Sequence, residues 1–198
     1  MGAGGWGLAL ALTLYENGHS VTVWSPFDRE VDGLRTSRTS ERLLPGVKLP
    51  ENIEITSDLG AVSGSEITVI ATPSFAASST AKRLCSIKDH GIVVNVAKGF
   101  EPETQQRLSV AIKTHLPQSE ITVLSGPSHA EEVARKIPTM LTVSGGSEEA
   151  RQKVQRIFSS EFLRVYTNPD IIGVELGGAL KNIIAVFSAS SKAVLQAK

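Results

Sequence analysis

Cysteine is nearly absent from the sequence, with Cys85 alone among 198 residues. One cysteine can form neither an internal disulfide nor a thiolate zinc site, which excludes a disulfide-stapled domain and favours a reducing, cytoplasmic location. The four histidines are scattered along the chain. The nearest approach to a metal pattern, His129-Ala130-Glu131-Glu132, has no third ligand in sequence reach, so we expect a polar helix start and no metal.

An excess of charge of one sign is also lacking, because 20 lysines and arginines balance 20 acidic residues. Nucleic-acid-binding domains usually carry a basic excess, so we expect no nucleic-acid partner. No apolar run approaches the about 20 residues that a membrane-spanning helix needs, and the first residues do not resemble a signal peptide. The hydrophobic content of 41% is enough for one good core.

Short apolar runs alternate with amphipathic stretches along most of the chain. Seven runs bounded by turn residues predict strands: Ser20–Trp24, Asn52–Thr56, Glu66–Ala71, Ile92–Asn95, Ile121–Leu124, Thr139–Ser144 and Leu163–Tyr166. Helices are predicted from about Leu8 to Asn17 and over Phe75–Cys85, Glu103–His115, His129–Arg135 and Glu148–Phe158. This alternation predicts an α/β fold with a doubly wound, mostly parallel sheet.

The character of the sequence changes near its end. Asn168-Pro169 indicates a break, and one long helix is predicted from Ile171 to about Gln196. We therefore expect an α/β domain over residues 1–167. Residues 168–198 would be the start of a truncated all-α domain.

A glycine-rich motif opens the chain, Gly2-Ala3-Gly4-Gly5-Trp6-Gly7. It has G-x-G-x-x-G spacing and directly precedes a predicted helix. In such a motif Gly2 allows a tight turn, Gly4 lets the backbone approach a pyrophosphate, and Gly7 lets the helix pack closely on the sheet. The helix start supplies free N–H groups to the phosphates. This context predicts a Rossmann-type site for NAD or NADP.

Two elements that usually accompany the motif are lacking. The motif normally follows a strand, and here Met1 precedes it. We therefore expect a sheet that lacks its first strand and has unpaired edges. Either a truncated or mis-started reading frame or a real loss of the strand would explain this. The strand that ends at Trp24 is followed by Ser25, Pro26 and Phe27, without the acid that holds the NAD ribose or an arginine for the 2′-phosphate of NADP. Asp28 and Arg29 follow a few residues later, so the choice between NAD and NADP stays open.

Three further segments follow predicted strands, where open α/β sheets bind ligands. Phe75 is a candidate to pack on a nicotinamide or ribose, and a helix N-cap by Ser74 is a second interpretation of the same segment. Lys98, flanked by small and apolar residues, is a candidate anion binder or an ordinary surface lysine. Gly126 and Ser128 offer N–H and hydroxyl donors in a strand-to-helix turn.

Lys181 is the most informative residue of the chain. Gly177 and Gly178 share its predicted helix face, although each glycine in a helix interior costs about 1 kcal/mol relative to alanine. Small residues there leave room for a ligand or for close helix packing. Apolar surroundings disfavour a charged amine, which suits a general acid/base for a carbonyl–alcohol pair. The alternative is a lysine that points to solvent. Asn182 is a candidate substrate ligand or a cap.

Taken together, these motifs resemble the bacterial-type NAD(P)-dependent glycerol-3-phosphate dehydrogenase family. The matching pieces are Gly-Ala-Gly-x-Trp-Gly at 2–7, Val-Thr-Val-Trp at 21–24, Pro-Ser-Phe at 73–75, Ala-Lys-Gly-Phe-Glu at 97–101, Ser-Gly-Pro-Ser-His-Ala at 125–130, Ile-Pro-Thr at 137–139 and Leu-Gly-Gly-Ala-Leu-Lys-Asn at 176–182. Their order and spacing match across nearly all of the chain, which is far more specific than the glycine motif alone.

The resemblance implies reversible hydride transfer between dihydroxyacetone phosphate and sn-glycerol 3-phosphate, a product used for phospholipid synthesis. Lys181 would donate and accept the proton. The cofactor residues implied by the glycine motif and by the resemblance are Gly2, Gly4, Gly5, Trp6, Gly7, Phe75, Lys98 and Ala130. The implied substrate residues are Lys98, Gly126, Ser128, Lys181 and Asn182. A complete protein would be a possible homodimer.

The sequence also departs from the family pattern. Pro26 stands where members usually have a basic residue or histidine, which weakens any expectation of NADP preference. The family's helical domain continues beyond Lys198 with residues that bind the substrate phosphate, so we expect residues 1–198 alone to be weakly active or inactive. Two alternatives remain: another lysine-dependent reductase of the superfamily, for a 2-hydroxyacid or ketopantoate, and a non-catalytic nucleotide-binding fragment.

Overall fold

The computed structural model describes residues 1–181. Its strands are β1 (Thr22–Trp24), β2 (Thr39–Ser40), β3 (Leu44–Lys48), β4 (Glu54–Thr56), β5 (Ile67–Ile70), β6 (Ile92–Asn95), β7 (Ile121–Ser125), β8 (Thr139–Gly145) and β9 (Leu163–Thr167). Its helices are α1 (Gly5–Glu16), α2 (Asp28–Ser37), α3 (Ser74–Leu84), α4 (Leu108–His115), α5 (Ala130–Ala134) and α6 (Glu148–Phe158). A 3₁₀ turn covers Leu59–Val62. Residues 171–181 are also helical, and we call this segment α7.

The main sheet has five strands in the order β5-β6-β7-β8-β9, and a separate pair joins β1 to β4. Neighbouring strands in both are parallel except β7 and β8, which are antiparallel. All seven predicted strands are present, with ends shifted by at most two residues. The predicted mostly parallel α/β fold is confirmed.

Helices cover both faces of the main sheet, as the interior strand β6 shows. Its Val93 packs with Ala77 of α3 in one buried cluster, whereas the next residue, Val94, packs with Leu10 of α1 and Val154 of α6 in another. Successive side chains of a strand point to opposite faces. A strand buried on both sides therefore needs the continuous apolar run that the sequence has here. The doubly wound arrangement is confirmed.

A cleft of about 440 Å³ separates β1 from β5. Met1 and Gly2 bridge it at one end: the Met1 α-amino nitrogen donates to the Val69 carbonyl at 2.6 Å, Ala71 N–H donates to the Met1 carbonyl at 2.8 Å, and Gly2 N–H donates to the Trp24 carbonyl at 2.8 Å. Burial lowers the pKa of the Met1 α-amino group to about 5. Along the rest of the cleft, no strand within residues 1–181 pairs with either edge.

Two helices differ from the prediction. Helix α2 was not predicted, because Val31 and Leu34 are its only buried residues and two apolar positions in ten give a weak pattern. The helix expected from Glu103 begins instead at Leu108. The buried Glu101 carboxylate accepts a hydrogen bond from Glu103 N–H at 2.9 Å, which holds the intervening residues in a turn.

The proposed domain boundary falls between β9 and α7, and the division into two domains stays a prediction. The remainder of the long predicted helix, residues 182–198, lies outside the described residues. None of the helices within residues 1–181 is both long and apolar enough to cross a membrane.

Candidate functional site

The glycine motif forms the turn into α1. Gly2 has a φ of +103°, a conformation that favours glycine, and a side chain there would approach the Ala71 carbonyl oxygen at 2.8 Å. Gly7 lies against the backbone of Gly2. In contrast, a Cβ atom on Gly4, the N-cap of α1, would meet nothing within 4 Å. The motif thus leaves open space at a helix N-terminus, where N–H groups and the helix dipole favour a phosphate.

A cavity of about 410 Å³ lies beyond this turn, at the carboxyl ends of β5, β6 and β7, and we call it the cofactor cavity. It is lined by Gly4, Gly5, Trp6, Ala71, Thr72, Pro73, Ser74, Val96, Ala97, Lys98, Ser128, His129 and Ala130. The structure therefore brings together six of the predicted site residues: Gly4, Gly5, Trp6, Lys98, Ser128 and Ala130. Carboxyl ends of parallel strands meet at one edge of a sheet, which is why distant segments converge here.

Trp6 lines this cavity and carries a polar atom that is unpaired within residues 1–181. The indole Nε1 atom is buried and has no hydrogen-bond partner among the described residues. Buried polar groups in native proteins nearly always have a partner, so an unpaired donor calls for an explanation. The fit to a dinucleotide rests instead on the open helix N-terminus at Gly4, which lines the same cavity as Trp6 and suits a pyrophosphate.

Lys98 and Lys181 converge on the turn after β7. The Lys98 amine donates to the Gly126 carbonyl at 2.9 Å and to Ser128 Oγ at 3.4 Å. The Lys181 amine donates to the Ser128 carbonyl at 3.1 Å. Burial, and then the neighbouring charge of Lys181, lower the pKa of Lys98 to about 8. The predicted substrate residues Lys98, Gly126, Ser128 and Lys181 therefore lie together in the structure.

Lys181 also lines a second space of about 380 Å³, the lysine cavity, with Gly126, Gly177 and Gly178. The two glycines of α7 differ in their surroundings. A Cβ atom on Gly178 would lie 2.5 Å from Ser125 Oγ, whereas one on Gly177 would meet nothing within 4 Å. Gly178 thus permits close packing of α7 on β7, and Gly177 leaves room in the cavity. The sequence offered two reasons for small residues here, close helix packing and room for a ligand; the first applies at Gly178 and the second at Gly177.

Phe75 and Asn182 are not placed by the structure in either cavity. Phe75 lies in the first turn of α3 and is 71% exposed. The N-cap of α3 is Pro73, and the Ser74 side chain makes no capping bond, so the interpretation of Ser74 as an N-cap is wrong. Asn182 lies outside the described residues. The proposed roles of Phe75 and Asn182 stay predictions.

The stretch from His129 to Glu132 begins a helix, as predicted. His129 is the N-cap residue of α5, and Glu131 and Glu132 lie in its first turn, where acidic side chains suit the helix dipole. Within the described part of the chain, no group of three or more His, Cys, Asp or Glu side chains is placed to hold a metal ion.

Sequence reasoning missed an acidic residue at the end of β1. The buried Ser25 hydroxyl donates a hydrogen bond to the Glu30 carboxylate. Ser25 follows Trp24, whose carbonyl accepts a hydrogen bond from Gly2 N–H of the glycine motif. The five-residue separation and the unpredicted helix α2 concealed it. Glu30 thus supplies an acid where the strand end itself has none.

A glycine turn opening a helix, a cavity at the carboxyl ends of parallel strands and two lysines beside it define a Rossmann-type nicotinamide-dinucleotide-binding domain. A model of the N-terminal part of NAD-dependent glycerol-3-phosphate dehydrogenase matches residues 1–151. The chain belongs to the glycerol-3-phosphate dehydrogenase family.

Individual relatives agree with this assignment. The chain is 47% identical over 190 residues to a glycerol-3-phosphate dehydrogenase [NAD(P)+] of Fusobacterium nucleatum, covering 94% of this chain and 57% of the relative. It is 46% identical to the glycerol-3-phosphate dehydrogenase [NAD(P)+] of Geobacillus thermodenitrificans, and the match covers 94% of this chain and 56% of that relative. The crystal structure of glycerol-3-phosphate dehydrogenase from Coxiella burnetii superposes on this structure with a TM-score of 0.88 at 34% identity. The superposition covers 93% of this chain and 57% of the Coxiella chain. The chain thus spans just over half the length of these relatives.

Proposed function

We propose that the protein reduces dihydroxyacetone phosphate to sn-glycerol 3-phosphate with a nicotinamide cofactor, in the cytoplasm and for phospholipid synthesis. The observation that carries this proposal is the convergence of two lysine amines on one turn beside the cofactor cavity. The Lys98 amine lies 2.9 Å from the Gly126 carbonyl oxygen, and the Lys181 amine lies 3.1 Å from that of Ser128. Family membership supports the choice of substrate.

The residues of the cofactor cavity have distinct tasks in this proposal. When bound, the nicotinamide ring supplies or accepts the hydride. The first N–H groups of α1, opened to a ligand at Gly4, would hold the pyrophosphate, and Trp6 would line the cavity beside it. Lys98 would attract the anionic cofactor, whose cavity it lines, and the substrate phosphate or carbonyl, because its amine lies between Gly126 and Ser128.

Lys181 would move the proton. In the reductive direction the carbonyl carbon accepts the hydride, and the Lys181 ammonium gives a proton to the carbonyl oxygen, which becomes the hydroxyl. In the oxidative direction the neutral amine takes that proton back. A general acid must lie within hydrogen-bond reach of the oxygen that it protonates. The open space at Gly177 beside Lys181 gives a substrate carbonyl access to the amine.

Glu30 supports NAD rather than NADP as the cofactor. A carboxylate at the end of the second Rossmann strand accepts hydrogen bonds from the ribose hydroxyls, and its charge repels a 2′-phosphate. Glu30 is brought to that strand end by its bond to Ser25. Pro26 offers no positive charge there.

Initial rates test the proposal in the full-length protein, meaning this sequence with any residues that flank it in its gene. Oxidation of NADH should depend on dihydroxyacetone phosphate and exceed oxidation of NADPH. Reduction of ketopantoate or a 2-oxoacid, with none of dihydroxyacetone phosphate, would favour the other reductase class. Absence of turnover with every substrate would favour a non-catalytic module. Residues 1–198 alone should bind NADH, measured by fluorescence, but turn over little.

Binding of NADH should weaken as the pH rises through about 8. The pKa of Lys98 is lowered to about 8, so its amine is mostly charged at pH 7 and mostly neutral at pH 9. Since the charged amine attracts the anionic ligand, we expect the Kd of NADH to rise by about 3- to 10-fold across that range. Fluorescence titrations at several pH values measure it. Lys98→Arg is the matched control, because arginine stays charged and should flatten the profile. An equal dependence of the Kd of NADH on pH in the wild type and in Lys98→Arg would contradict the role of Lys98.

A further inference from the structure

Glu175 is a carboxylate buried in α7, with 7% of its surface exposed. It accepts three hydrogen bonds from the start of α4. Arg107 Nη1 donates at 2.7 Å, Ser109 Oγ at 2.6 Å and Ser109 N–H at 2.9 Å. Both carboxylate oxygens are used, and the contact with Arg107 is also an ion pair. We call these three residues the Glu175 clamp.

An apolar side chain would hold α7 against α4 without burying a charge. A buried carboxylate is unfavourable unless it is fully paired and hydrogen-bonded. Charge-assisted hydrogen bonds are, however, strongly directional, and three of them on one carboxylate define an orientation as well as a distance. The Glu175 clamp is therefore suited to setting how α7 is rotated on the α/β domain.

The residues that depend on this rotation follow along the same helix. Glu175, Gly178 and Lys181 follow one another at three-residue spacing, so each is turned by about 60° from the one before, and all three contact the α/β domain. Gly178 packs against Ser125 of β7, and Lys181 reaches the Ser128 carbonyl at 3.1 Å. A rotation of α7 about its axis would break the bonds at Glu175 and carry the Lys181 amine away from Ser128.

We propose that Glu175 is a positioning residue, which anchors α7 to the start of α4 and thereby holds the Lys181 amine at the Ser128 carbonyl beside Lys98. The kinetic part of this proposal rests on the proposed dehydrogenase function; the structural part does not. Glu175 touches neither cavity, so it acts through Lys181.

Steady-state kinetics of the full-length protein test the kinetic part. Glu175→Leu removes all three bonds and should lower kcat by about 10-fold or more, because the amine no longer lies at the reacting oxygen. The KM for NADH should change by less than about twofold, since the glycine motif is untouched. Glu175→Gln keeps an acceptor for Ser109, so its kcat should lie between that of Glu175→Leu and that of the wild type. Glu161→Gln, at an exposed carboxylate, is the matched control and should match the wild type.

A second readout does not require turnover. Part of the lowering of the Lys98 pKa comes from the charge of Lys181. If Lys181 moves away in Glu175→Leu, the pKa of Lys98 should rise, and ¹³C-methylated lysine NMR measures it directly. Ser109→Ala removes one of the three bonds to Glu175, together with the bond that Ser109 Oγ accepts from Arg107, and should shift the pKa in the same direction by less. It provides a milder variant if Glu175→Leu does not fold.

The two readouts separate the possible failures. A folded Glu175→Leu protein with unchanged kcat and an unchanged Lys98 pKa would overturn the positioning role. If Glu175→Leu does not fold, an unchanged Lys98 pKa in Ser109→Ala would overturn it. A wild-type protein without activity on dihydroxyacetone phosphate, whose Lys98 pKa still rises in the variants, would overturn the proposed function and leave the positioning of Lys181 supported.

Discussion

Replacing Lys181 with alanine should lower kcat for dihydroxyacetone phosphate reduction by about 10²- to 10⁴-fold, the usual contribution of a general acid. The Kd of NADH should change little. The reason for this separation is geometric: Lys181 lines the lysine cavity, whereas the glycine motif and Trp6 line the cofactor cavity. Stopped-flow or steady-state rates give kcat, and NADH fluorescence gives the Kd.

Two further variants make this prediction specific. Lys181→Arg keeps the positive charge, but arginine stays protonated and cannot give its proton to the substrate near neutral pH, so this variant should also be nearly inactive. Lys82→Ala removes an exposed lysine on α3 and should leave both kcat and the Kd unchanged. Turnover that survives in Lys181→Ala would mean that another group gives the proton. Lys98, whose pKa is lowered to about 8, would then be the residue to test.

The sheet, and the edge of the sheet at which the candidate site lies, were predictable because the sequence signals for strands and turns are local. Each core strand is a short β-branched run ended by a turn residue, and the carboxyl ends of parallel strands must meet at one edge. Lys98 follows β6, and Gly126 and Ser128 follow β7, so their convergence followed from the predicted topology. The β2–β3 hairpin was missed because its strands contain Pro45 and Gly46 and bury only Leu44.

The contacts that orient the site were not predictable from one sequence. The Glu175–Arg107 bond joins residues 68 positions apart, and no spacing or motif relates them. Likewise, Gly177 and Gly178 are indistinguishable in the sequence, yet one borders open space and the other packs on Ser125. Such differences depend on how α7 lies on the α/β domain, which is a property of tertiary packing.

The cleft between β1 and β5 leads to the largest expected change in stability. Met1 already makes the hydrogen bonds of a strand parallel to β5, and Gly2 bonds to β1. A strand running into Met1 would pair with both edges, each bond contributing about 0.5–1.5 kcal/mol. Leu10 and Val62 line the cleft and belong to two different apolar clusters. Each buried Val or Ile would therefore add about 1.5–3 kcal/mol.

Five residues of alternating valine and isoleucine joined ahead of Met1 should therefore raise the Tm of residues 1–198 by about 10 °C or more, since about 1 kcal/mol corresponds to 2–4 °C in a chain of this size. The extension also turns the buried Met1 amine, whose pKa burial lowers to about 5, into a neutral peptide N–H that keeps the bond to Val69. Calorimetry at fixed concentration measures the Tm. An extension of equal length with proline at alternate positions cannot complete the ladder and should give little change. Equal Tm values for the two extensions would show that no strand forms in the cleft.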